Sequence, residues 1–186
     1  MKKIILLSLC AIALLNSCVG KTDIAPEPIK LPPPAGKSSV VKLDTIPDGA
    51  ILKVRLQMDS TQIDETLLKF DHDAGIDYSN SRDAVYFQGF GVASLSSVSD
   101  DGVPCAIQTL PYLSGNPIRL KVGVKKDGIY LLKISYANNI PQDKNIWLKD
   151  AYKQDSLNLR LWNYRFNVFK TDTNTFGARR FTIVIR

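Results

Sequence analysis

The chain has 186 residues, with 24 Lys plus Arg against 18 Asp plus Glu and a net charge of +6. At 45% hydrophobic and a mean hydropathy of −0.05 it is neither a polytopic membrane protein nor a disordered tail, and one folded domain is expected at this length. One His and three Cys leave too few ligands for a His/Cys metal cluster or a disulfide framework.

Residues 1–17 read as a secretory signal. Lys2 and Lys3 precede a stretch, residues 4–15, that is apolar except for Ser8. That stretch falls short of the ~20 residues that cross a bilayer core. Leu15-Asn16-Ser17-Cys18 resembles a bacterial lipobox, with an aliphatic residue three places before the Cys and a small one just before it. The resemblance implies cleavage before Cys18, diacylglycerol on its thiol and palmitate-type acylation of the new N-terminus. Two or three acyl chains at ~0.8 kcal/mol per buried methylene then hold the protein on a membrane where one would not. Cleavage would leave 169 residues, 186 less 17, and a side-chain charge of +4, because Lys2 and Lys3 are lost. Cys10 goes with the signal, so Cys105 is the one remaining thiol and no internal disulfide is expected.

Residues 18–39, after the acylated Cys18, carry Pro26, Pro28 and Pro32-Pro33-Pro34 and form a semi-rigid spacer of polyproline character. Ala35-Gly36-Lys37-Ser38 has the tail of a phosphate-binding loop. Leu31 occupies the first Gly position, however, and proline offers no N–H to cradle phosphate.

Residues 40–186 alternate in short β-type runs. Leu52, Val54, Leu56 and Met58 share one face of the first, and Ile118, Leu120, Val122 and Val124 share one face of a later run. Asp127-Gly128 is expected to close a hairpin onto Tyr130, Leu132, Ile134 and Tyr136. Leu157, Leu159 and Leu161 follow, then Tyr164, Phe166 and Val168, then Phe181, Ile183 and Ile185. Residues 60–67 are the one candidate for a short helix. Arg119, Lys121, Lys125 and Lys126 lie on an exposed face and discourage edge-to-edge pairing. The expected fold is an all-β, antiparallel β-sandwich, jelly-roll or Ig-like, after the signal and tether.

The densest acidic stretch is Asp71-His72-Asp73-Ala74-Gly75-Ile76-Asp77, followed by Asp83. Alternate carboxylates suit calcium, with Asp71, Asp73 and Asp77 as ligands, although the EF-hand pattern fails at Gly75, Ile76 and Arg82. The plainer reading is a solvated loop whose Asp residues start turns, with no cofactor. His72 reads as an exposed loop residue and Cys105 as a buried small hydrophobe. Trp162, Arg165, Phe169 and Lys170 are aromatic and basic, but their neighbours alternate as core, and the basic residues are spread along the chain. No nucleic-acid role is expected.

Asp77 with Asp83-Ala84, residues 95–99 before Asp101-Gly102, Ala106-Ile107 before Leu110-Pro111, Gly128-Ile129-Tyr130, residues 146–150 and the closing stretch 175–186 resemble a β-sandwich module. That module recurs in secreted, adhesin-like surface proteins of Bacteroidota. The resemblance implies a structural or adhesive module without catalytic residues and an outer-membrane lipoprotein at the cell envelope. Its partners are then the membrane, through the lipid anchor, and surface glycans or envelope proteins. The alternatives are a carbohydrate-binding accessory lipoprotein using Trp147 or Tyr152, and a hydrolase using acids within residues 71–83.

Overall fold

The computed structural model describes residues 46–186, so Cys18, the spacer and the boundary at residue 40 lie outside the described residues. The strands are β1 (Ala50–Gln57), β2 (Ile63–Phe70), β3 (Ala84–Val85), β4 (Ala93–Val98), β5 (Pro104–Leu110), β6 (Ile118–Val124), β7 (Gly128–Asn138), β8 (Ile146–Asp150), β9 (Asp155–Asn158), β10 (Tyr164–Val168) and β11 (Gly177–Ile185). They bond along one path, β10-β7-β1-β2-β5-β4-β6-β11-β8-β9, with β3 paired to β5 beside it. The protein is all-β, one sheet folded over a shared core and nearly closed on itself. β1 shows why the pattern works: Ala50, Leu52, Val54 and Leu56 are fully buried while the intervening residues are partly exposed.

Three expectations are corrected, and one strand pair departs from the antiparallel pattern of the rest. Residues 60–67 are not a helix: Thr66, Leu68 and Phe70 point inward at period two and belong to β2. The turn before it is built by Asp59, whose carboxylate accepts the N–H groups of Thr61 and Gln62, so β1 and β2 form the hairpin. Asp127-Gly128 does not close a hairpin. β6 pairs with β4 and β11, β7 with β1 and β10, and the link carries the chain between the two flanks of the fold. A Cβ at Gly128 would stand 2.9 Å from the Met58 methyl, and the residue's φ of 153° is one that side chains rarely allow, so glycine suits this crossing. β6 is an interior strand, so its basic outer face guards no edge. Finally, the sheet is not purely antiparallel. β2 and β5 run parallel, with Leu67 opposite Ile107, because the chain between them makes a long crossover through β3 and β4.

Two smaller departures have local causes. The β1–β7 register shifts between Lys53 and Val54, which pair with Tyr136 and Ile134, and the extra residue Ser135 inverts the alternation. Tyr136 therefore faces solvent at 50% exposure while Tyr130 and Leu132 are fully buried. Leu161 lies past the end of β9, in a turn where the N–H groups of Leu161 and Trp162 both reach Asn158 O, and it is exposed too.

The two ends of the path are brought together by one buried cluster. Asp150 on β8 receives Arg180 Nε at 3.1 Å and Nη2 at 2.8 Å, and the Tyr164 hydroxyl of β10 donates to its second oxygen at 2.8 Å. The Arg180 guanidinium lies 4.8 Å from the Phe166 ring centre and 4.7 Å from that of Phe181, and it also donates to the carbonyls of Thr175 and Asn167. Asp150 and Arg180 are 1% and 2% exposed, so each charge depends on the other. Burial alone would raise the Asp150 carboxyl; the bonds from Arg180 and Tyr164 outweigh it and hold the group below its ordinary 3.8.

Arg180→Met leaves Asp150 buried and unpaired, and chemical denaturation should register a loss of about 3–5 kcal/mol. The double change Asp150→Leu with Arg180→Met, which strands neither charge, should recover much of it. Because the folded carboxyl titrates below its unfolded value, this contribution is present above pH 3.8 and disappears as pH falls through the lower folded value. Thermal melts of wild type between pH 5 and pH 2 should show that decline, and the double variant should show less of it.

Candidate functional site

The acidic loop after β2 gathers part of the expected set. Asp71 accepts Arg82 Nη1 at 3.0 Å and the Asp73 N–H at 3.0 Å. His72 is exposed, as expected, but it is engaged. Its N–H and Nδ1 both meet Asp48, and Nε2 lies 3.2 Å from Asp73. Ligand atoms of Asp48, Asp71 and His72 fall within 4.8 Å of one another. The grouping therefore brings in Asp48, which the sequence pattern does not single out, while Asp73 and Asp77 stand outside it. The hydrogen bond that the His72 ring makes to the Asp48 carboxylate, then the charges of Asp48 and Asp73, raise the imidazole above 6.5. Asp83 accepts Thr109 N–H at 2.7 Å and Ser79 N–H at 2.8 Å, which fastens the loop to β5. Asp71, Asp73 and Asp83 are thus occupied in holding backbone and cations.

The two aromatic residues offered for sugar stacking are also engaged. The Arg186 guanidinium lies 5.7 Å from the Trp147 ring centre. Arg180 lies 5.0 Å from that of Tyr152, whose hydroxyl donates to Asp172 at 3.2 Å. Trp162, by contrast, is 67% exposed beside Gln142 and Asn163. Cys105 is fully buried, and burial, with Asp83 and Asp101 nearby, pushes its thiol up to about 11. The thiolate needed for nucleophilic chemistry is scarce at neutral pH.

A cavity of about 270 Å³ lies where β2, β4 and β5 end and β6 begins. Its walls are the ends of core strands, with Phe70, Val98, Leu110, Ile118 and Ile185 facing it. The loop between β5 and β6 roofs it. Gly115 N–H is bonded to Ile185 O at 3.0 Å, and Asn116 N–H to Leu113 O at 2.9 Å. The Tyr112 ring stands edge-on to Phe70, 6.3 Å between centres, which fixes its direction. At the mouth, Arg119 Nη2 donates to Ser99 O at 2.6 Å and Asp100 O at 3.1 Å, and sits 3.8 Å from the Asp100 carboxylate.

Two side-chain oxygens of lining residues, Gln108 Oε1 and the Tyr112 hydroxyl, are buried and have no hydrogen-bond partner among the described residues. Both residues line the cavity, and Gln108 is only 2% exposed. A buried carboxamide left unpaired costs about 1–3 kcal/mol, so this arrangement is stability given up at one place. An apolar pocket with a few convergent polar groups is the usual form of a small-molecule site. Neither residue stands out in the sequence reading. The signal was present: Gln108 is a carboxamide between Ala106 and Leu110, at the same parity as both.

No family model matches the chain, and no curated protein or solved structure matches it either.

His72 is the sole histidine, so its ring resonances can be followed without assignment. An NMR titration should give a midpoint above 6.5, and Asp48→Asn should bring it down. The stability carried by this pair is complete below 6.5 and is lost as pH rises through the folded midpoint. Cys105 should resist alkylation in the native protein and react fully once unfolded, as mapped by mass spectrometry.

Proposed function

We propose that the chain is a membrane-anchored lipoprotein of the cell envelope whose β-domain is a non-catalytic binding module, with the cavity beneath Tyr112 as its ligand site. The observation that carries the binding reading is the cavity of about 270 Å³ itself, walled by the ends of core strands and lined in part by Gln108 and Tyr112, each of which has a buried side-chain oxygen without a hydrogen-bond partner among the described residues. The anchor rests on Leu15-Asn16-Ser17-Cys18 and the proline-rich residues behind it. The outer-membrane address and the adhesin-like character rest on the resemblance carried by residues 175–186. A non-catalytic role is supported by the acids of residues 71–83, of which Asp71 and Asp83 are committed to Arg82 and to loop backbone.

Sugar binding is the second reading, and one observation favours it at a different place from the aromatics first considered. Trp162 offers a 67% exposed indole next to Gln142 and Asn163, an aromatic face with amides beside it. A glycan array would support this reading if retention disappeared in Trp162→Ala and survived in Trp147→Ala.

Cys18→Ser tests the anchor. Wild type should sediment with membranes, and the variant should pass to the soluble fraction or keep an uncleaved signal. Membrane-held, fully processed Cys18→Ser protein would overturn the lipid anchor.

A further inference from the structure

We infer that the end of the fold carrying residues 86–92 docks on an anionic lipid bilayer, with the rings of Phe87 and Phe90 entering the headgroup layer beside Lys125, Lys126 and Lys170. Four connections are tied together at that end. Gln62 Oε1, in the turn between β1 and β2, accepts the Val92 N–H at 2.9 Å. Lys125 N–H, between β6 and β7, donates to Val92 O at 2.9 Å. Lys170 N–H, just after β10, donates to Asp127 Oδ1 at 2.7 Å.

The loop between β3 and β4 is braced, yet its rings are free. Tyr86 N–H donates to Pro104 O at 2.8 Å and fixes the entry, while the two bonds at Val92 fix the exit. Lys125 Nζ holds the tip, donating to Phe90 O at 3.1 Å and Gly89 O at 3.3 Å. Phe87 is nonetheless 86% exposed and Phe90 fully exposed. A single exposed apolar side chain is ordinary. Two phenyl rings held out from one fastened loop are apolar surface that folding leaves in water.

Area and charge choose the occupant. Two phenyl rings bury about 300–500 Å² between them, short of the ~800 Å² that each partner of a stable protein interface contributes. A bilayer asks for less: apolar tips at the headgroup boundary with cations beside them. Across residues 58–62, 86–92, 125–127 and 169–170 the charged groups are Lys125, Lys126 and Lys170 against Asp59 and Asp127. Asp59 accepts N–H groups of its own turn, and Asp127 accepts that of Lys170. Lys125 spends two of its three N–H donors on the loop and keeps one for a phosphate oxygen. The chain enters the domain at the other end, where Ala50 pairs with Phe70. The 27 residues between Cys18 and Ile46 can reach roughly 90 Å, against ~26 Å for the length of β1, so a lipid anchor leaves this end free to turn to the membrane.

The test uses the mature chain, residues 18–186, left unacylated so that no anchor contributes. It is sedimented with vesicles of phosphatidylglycerol and phosphatidylcholine in equal parts. Wild type should bind them, and should bind pure phosphatidylcholine about fivefold more weakly, the effect of one unmatched Lys at an anionic surface. Phe87→Ser combined with Phe90→Ser should melt as wild type does, because neither ring is buried, and should bind at least tenfold more weakly. Lys126→Gln should bind about threefold more weakly, while Lys121→Gln, midway along β6, should stay close to wild type. Wild type left in the supernatant at millimolar lipid overturns the docking, and so does undiminished binding by the double Phe variant. Equal losses in Lys126→Gln and Lys121→Gln overturn this end as the contact. A concentration-dependent dimer that the double Phe variant dissolves, without vesicle binding, makes a second copy the occupant and overturns the bilayer. The inference goes beyond the cavity and the acyl anchor, and its failure leaves both standing.

Discussion

The fold depends on Asp150, Arg180 and Tyr164 meeting in one dry place. These residues come from β8, β11 and β10, strands near opposite ends of the bonding path, and backbone pairing alone does not join β10 to β8 or β11. The Tyr164 hydroxyl and the Phe166–Phe181 contact, 4.7 Å between ring centres, do so with side chains. The guanidinium lies against aromatic rings while its N–H groups are used by Asp150, Thr175 and Asn167. A well-packed hydrophobic closure of the same volume would supply much of the same stability. The ionic one admits few geometries, so it fixes how the two flanks sit against each other.

The β class was legible because it needs only period two, and β1, β6, β10 and β11 display that period plainly. What was not legible is pairing. Asp127-Gly128 between two alternating runs is the strongest local hairpin signal, yet the link bridges the flanks, because β6 finds better partners in β4 and β11. Periodicity is a property of one segment, whereas pairing is a choice among distant segments. Residues 60–67 misled for a related reason. Thr66 is polar by type, but its hydroxyl donates to Cys105 O at 3.1 Å and accepts Ser97 N–H at 3.1 Å, so it occupies an inward position that a reading by hydrophobicity leaves empty.

The candidate site shows the same limit from the other side. Local crowding drew attention to Asp71, Asp73 and Asp77, and the fold uses Asp71 to brace the loop through Arg82 and joins His72 to Asp48. The cavity was assembled from single residues far apart in the chain: Phe70 from β2, Val98 from β4, Gln108 from β5 and Ile185 from β11. No contiguous motif records such a site. A misplaced polar residue such as Gln108 is the trace it leaves, and weighing inward-facing amides as heavily as acidic clusters would have found it.

β11 is the last strand of the chain, yet it lies between β6 and β8 in the middle of one flank. Until residues 177–185 are delivered, β6 lacks a neighbour on that side and β8 with β9 has nothing to attach to. Arg180 travels on this strand, so the buried carboxylate of Asp150 also waits for it. The parallel β2–β5 pair adds further contacts between distant parts of the chain. The topology is thus rich in pairings between distant segments, the kind in which loop closure comes before the contacts that reward it. Until residues 177–185 dock, the open side of β6 is an unpaired sheet edge.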